Sequence, residues 1–172
     1  MARKSNSSLD MKRLSEFVLI AANLGVLVSL VVLIFEFNQS QRALRAQTRH
    51  EISQSIVDLL HQSAQNQQLS DVLRRGEKDE ALTPTETFQF NMRANALLRY
   101  WEDSFYQNKM GAYDQDEFDA HVLAWRYSFD SSVGLRRFWC AAKGRYSPDF
   151  AAAINRLLKP DACTSLPPAK VK

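Results

Sequence analysis

Residues 17–35 read FVLIAANLGVLVSLVVLIF, a run with no charged side chain. As a helix rising about 1.5 Å per residue, it covers close to the roughly 30 Å of a bilayer's hydrocarbon core. A secretory signal has a shorter apolar region, about 7 to 15 residues, that ends at small residues. This one ends in Phe35-Glu36-Phe37-Asn38. The stretch therefore predicts a retained transmembrane helix over 17–37, preceded by a short basic N-terminal tail, 1–16.

The charges that flank the span set its direction. Arg3, Lys4, Lys12 and Arg13 outnumber Arg42, Arg45 and Arg49, which favours the N-terminus inside. Within the span, Ala21, Gly25 and Ser29 recur every fourth residue and share one helix face, a candidate packing face for a second helix, with Asn23 able to add an interhelical hydrogen bond. Small residues are also common in membrane helices that have no partner. Arg42, Arg45 and Arg49 form a stripe beyond the span, and are candidate contacts to lipid-headgroup phosphates. A solvated face accounts for the same pattern.

Between Gly25 and Gly76 there is neither glycine nor proline, so nothing in the covalent chain forces the helix to stop at the membrane surface. Leu44, Thr48, Ile52, Ile56, Leu59 and Leu60 keep a spacing of three and four, which predicts the side that packs on the domain. The polar run 65–68 dilutes that stripe. Leu69, Val72 and Leu73 resume it before Arg74-Arg75-Gly76, where a basic last turn followed by glycine predicts the helix end. Segment 77–82 then reads as a charged connector.

Thr83-Pro84-Thr85-Glu86 carries a capping threonine, a first-turn proline and a glutamate placed to return the cap, so a helix begins there. Phe90, Ala94, Leu97, Leu98, Trp101 and Phe105 form its apolar stripe, and Gly111 its end. Asp114 with Glu117 opens a second helix that turns Phe118, Val122, Trp125 and Phe129 inward. A third follows Ser131-Ser132, with Leu135, Phe138, Trp139 and Ala142 on one side, and stops near Gly144. Ser147-Pro148 opens the last, which buries Phe150, Ile154, Leu157 and Leu158 until Lys159-Pro160. No stretch alternates as a strand does. The fold class is all-α: a transmembrane helix continuing into a small helical bundle over 38–160, followed by a flexible C-terminal tail, 161–172.

With 172 residues, one small domain remains once the span is set aside. A net charge of +3 is too small to argue for nucleic acid as a partner. Glycines only at 25, 76, 111, 134 and 144 leave no glycine-rich phosphate loop, and no serine sits in a G-x-S-x-G elbow. Asp58 with His61, and Glu117 with His121, are spaced to share helix faces, but a di-metal bundle needs two Glu-x-x-His repeats and further carboxylates. No catalytic residue, metal ligand or cofactor is therefore expected. Cys140 and Cys163 have no metal or C-x-x-C spacing: an oxidising compartment would permit a bridge between them and a reducing one would leave two thiols, and sequence alone does not place the sulfurs within bonding distance.

The densest polar cluster is Arg99, Glu102 and Tyr106 on one stripe of the Thr83 helix. It could line a pocket or groove. The structural reading is favoured: the cluster ties this helix to its neighbours, with Arg136 or Arg137 near Trp139 as partners.

The motifs VSLVVLIFEFNQSQRALRAQT (28–48), LLRYWEDSFYQNKMGAYDQDEFDAHV (97–122) and GLRRFWCAAKGRYSPDF (134–150) resemble a widespread group of uncharacterised bacterial proteins with one N-terminal membrane helix. The resemblance implies a helical protein of the bacterial inner membrane and brings no reaction or ligand with it. Two functions follow as expectations. The first is an accessory module that binds a protein partner or a second copy of itself, alongside the lipid bilayer. The second is a small-molecule or lipid sensor whose aromatic core (Trp101, Trp125, Trp139, Phe105) encloses a pocket.

Overall fold

The computed structural model describes residues 5–168, with side chains from residue 13 onward. The chain divides into two compact units, Met1–Leu44 and Arg45–Lys172.

The first unit is a single stretch of helix, the beginning of α1 (Ser5–Gln65). It starts inside the segment expected as a tail; Arg3 and Lys4 lie outside the described residues. Every side chain from Arg13 to Leu44 is exposed, and the apolar run has a mean hydropathy of 2.8 with none of its window buried. By length and composition this is a helix able to cross a membrane. The Ser29 hydroxyl donates to the Gly25 carbonyl at 2.8 Å, which satisfies it within its own helix.

The second unit holds the remaining turns of α1, then α2 (Gln67–Glu77), α3 (Pro84–Lys109), α4 (Gln115–Ser131), α5 (Val133–Ala142), a 3₁₀ turn (Lys143–Arg145) and α6 (Pro148–Leu157). The described residues contain no β-strand. Local chemistry explains most helix starts. Thr83 accepts from the Glu86 N–H while the Glu86 carboxylate accepts from the Thr83 N–H, a complete capping box. Arg75 clamps the same carboxylate, and its bonds with those of Thr83 hold the Glu86 carboxyl down to about 2. Asp114 caps α4 and Ser132 caps α5 through side-chain oxygens. Gly111, at φ +71°, makes the left-handed turn that ends α3.

Three expectations are corrected. The helix from the span does not run to Gly76: it stops at Gln65, because Asn66 leaves the helical region and its side-chain oxygen accepts the Leu69 N–H at 3.0 Å to start α2. Gly76 then sits inside the last turn of α2, and the left-handed residue beyond it is Asp79 at φ 57°. The stripe meant to face the domain is only partly used: Ile52 is buried and Ile56 and Leu59 half-buried, whereas Leu44 and Leu60 stay exposed. Segment 161–168 is no free tail, since Cys163 is bonded to Cys140, Ala162 is buried, and Arg137 donates to the Pro167 carbonyl.

The core is aromatic. Trp101 stacks on Trp125 with centroids 5.3 Å apart, and Phe129, Phe118 and Phe150 meet these rings edge-on. Trp139, fully buried, touches Phe129, Tyr146 and Phe150, and its indole N–H donates to Asn155 at 3.1 Å. α5 lies at the centre and packs on α2, α3 and α4.

Candidate functional site

Arg99 and Glu102 do come together. The guanidinium donates to one carboxylate oxygen at 2.5 Å, and the other oxygen accepts the Ser147 N–H at 2.8 Å. Arg99 also donates to the Arg145 carbonyl at 3.0 Å and lies over the Tyr146 ring, 4.6 Å from its centroid. Burial works to raise the Glu102 pKa, but the Ser147 and Arg99 hydrogen bonds outweigh it and hold the carboxyl below its ordinary value. Tyr106 joins neither group; its ring meets the Phe105 ring edge-on. The partners expected from α5 are also replaced: Arg136 donates to the Phe129 and Asp130 carbonyls, and Arg137 pairs with Asp79. The cluster thus fastens α3 to the turn before α6.

Of the arginine stripe, Arg49 is already engaged, pairing with Glu117 at 2.7 Å, whereas Arg42 and Arg45 are exposed and form no ion pair among the described residues. Arg45 and Arg49 face the α3–α4 corner across a groove of about 490 Å³, with Tyr113, Asp114 and Glu117 opposite. Ala21, Gly25 and Ser29 are uncovered, and a β-carbon on Gly25 would touch nothing.

His121 sits between two phenols: Tyr113 Oη is 3.1 Å from its Nε2 and Tyr100 Oη 3.5 Å from its Nδ1. Burial lowers the histidine pKa, against an opposing pull from Glu117, and pushes the Tyr100 phenol up to about 12. A neutral imidazole, one nitrogen donating and the other accepting, suits that place. Among the described residues, no group of three His, Cys, Asp or Glu side chains is placed to hold a metal ion, so neither Glu117 with His121 nor Asp58 with His61 gains a third ligand.

Two further clefts escape sequence reading. One, of about 490 Å³, lies between the α2–α3 connection and α5; there Arg137 grips Asp79 with two bonds of 2.7 and 2.6 Å, beside Phe90 and Phe138. Phe88 and Met92, 63% and 45% exposed, edge it. The other, about 160 Å³, is lined by Leu73, Phe90, Ala94, Leu97 and Leu135, with Arg93 as its cation. Asp79 and Arg137 are 58 residues apart, and no local pattern announces the pair. Trp101, Trp125, Trp139 and Phe105 line none of these three clefts; their rings pack on one another.

No protein-family model matches the chain, and no curated protein or solved structure matches it either.

Proposed function

We propose that this is a single-pass protein of the bacterial inner membrane, N-terminus inside, whose helical bundle stands on the oxidising side and works as an interaction module. The observation that carries the reading is α1 itself: its apolar run is uncovered on all sides, with side chains such as Phe17 and Phe35 more than 70% exposed. A surface of that kind is stable in hydrocarbon and not in water. The Cys140–Cys163 bridge supports the side assigned, since such bonds persist in the periplasm and are reduced in the cytosol. Phe88 and Met92, apolar and exposed beside the Arg137 cleft, supply the contact surface. The small-residue face at Ala21, Gly25 and Ser29 admits a second copy, and Arg42 and Arg45 remain available to headgroups.

The full-length protein should stay in the membrane pellet after an alkaline carbonate wash, and an alkaline phosphatase fused to its C-terminus should be active. A photoreactive side chain in place of Phe88 should give a discrete crosslinked adduct in cells. Release into the supernatant, or an inactive fusion, overturns the placement. Absence of any adduct, together with a monomeric particle by light scattering in detergent, overturns the interaction role.

A further inference from the structure

Arg93 on α3 is half-buried and forms no ion pair among the described residues. Its one side-chain hydrogen bond among the described residues runs from Nε to the Ser63 hydroxyl at 3.0 Å, in the last turn of α1, where carbonyls at a helix end favour a cation. That accounts for a single edge of a group with five donors. Burial lowers the Arg93 pKa, as expected of a charge without a close counter-ion, and the more distant Glu77 only partly opposes this.

The same guanidinium lines the cleft of about 160 Å³ described above. The three serine hydroxyls there donate elsewhere: Ser128 to the Ala124 carbonyl, Ser131 to the Tyr127 carbonyl, and Ser132 to the Glu77 carbonyl. Arg93 is the cation among the residues that line this cleft, with Ala94 and Leu97 beside it on α3 and Leu135 contributed by α5. The size is that of a cavity that takes a benzene-sized molecule, about 150 Å³. Glu77 also lines the cleft, and its negative charge opposes a dianion such as a phosphate monoester about twice as strongly as a monoanion.

We propose that this cleft binds a small organic monocarboxylate with a short apolar body, its carboxylate paired to Arg93 and its body against Leu97, Ala94 and Leu135. The planar guanidinium fork matches a carboxylate in two parallel hydrogen bonds, and the apolar wall selects a branched or aromatic body over acetate.

The test is saturation-transfer NMR on the full-length protein in detergent, with isovalerate and benzoate set against isovaleramide, benzamide and acetate. The two acids are expected to bind, and their amides and acetate at least about tenfold more weakly, because the amides lack the charge and acetate the body. Arg93→Met should lower affinity for the acids by about tenfold or more, whereas Arg93→Lys keeps part of it. Leu97→Phe, which fills the cleft while leaving Arg93 in place, should displace both acids. Equal binding of acids and amides, unchanged affinity in a folded Arg93→Met protein, or no binding of either acid at about 10 mM overturns the proposal. The comparison of acid with amide on the unaltered chain decides the matter even if the Arg93 variants do not fold.

Discussion

Gly134 on α5 lies so near Gly76 on α2 that a β-carbon built on it would stand 1.9 Å from the Gly76 carbonyl oxygen. The two helices touch backbone to backbone, which only glycine at position 134 permits, and the obstacle is a main-chain atom that cannot swing away. Gly134→Ala should therefore cost about 3 kcal/mol through overpacking, read as a lower urea midpoint with an unchanged slope. At Gly76 the nearest obstacle is the Phe90 ring, 2.3 Å from the built carbon. A side chain can give way more readily than backbone, so Gly76→Ala should cost less, about 1–2 kcal/mol.

Glu102 serves two neighbours at once, the Arg99 guanidinium and the Ser147 N–H at the start of α6. Glu102→Gln keeps the shape but removes the charge, and should lower stability by about 1.5–3 kcal/mol, the range for hydrogen bonds to charged groups. Because the folded carboxyl lies below its usual value of 4.5, its contribution is fully present above about that pH and is lost as pH falls through the folded value. Chemical denaturation at pH 7 and pH 3 should show the wild-type advantage over Glu102→Gln shrinking in acid.

His121 gives a second acid-sensitive contribution of the same sign. Its folded pKa lies below 6.5, so the unfolded chain takes up the proton first; stability is fully present above about 6.5 and declines as pH drops below it. Replacing His121 with Asn should flatten the slope of stability against pH just below 6.5. An NMR titration of the imidazole should place its midpoint below that of a free histidine.

The Cys140–Cys163 bridge closes a loop of 23 residues, for which chain-entropy loss in the unfolded state amounts to about 3 kcal/mol. Cys163→Ser should lower the denaturation midpoint accordingly. It should also make the chain beyond α6 more open to proteolysis, because the bridge, buried Ala162 and the Arg137 bond to Pro167 are what hold that segment.

Arg49 and Glu117 make a test of the opposite kind. The arginine side chain is 67% exposed, so the pair is screened by water and salt. Arg49→Gln should change stability by less than about 1 kcal/mol, and a larger loss by thermal denaturation would mean that the pair is a latch between α1 and α4.

Features made within four residues of chain were legible in the sequence. The caps at Thr83, Asp114 and Ser132 and the inward stripes at Leu98, Trp101, Trp125, Phe129, Trp139 and Ile154 depend on side chains that meet along one helix, so spacing alone places them. The uncharged run 17–35 is of this kind too, since its preference for hydrocarbon is a sum over its own residues. Where two equally permitted local outcomes compete, tertiary structure chose: Asn66 could have continued the helix, and instead capped a new one.

What only the tertiary structure decided lies between residues far apart in the chain. It brought Asp79 to Arg137, Glu102 to Ser147, His121 to two tyrosines, Gly134 onto Gly76 and Cys140 to Cys163. It also left Arg93 beside a cleft with no ion pair among the described residues. Those partners are chosen by how whole helices pack, and that depends on the fit of many side chains at once. No single stretch of sequence carries it.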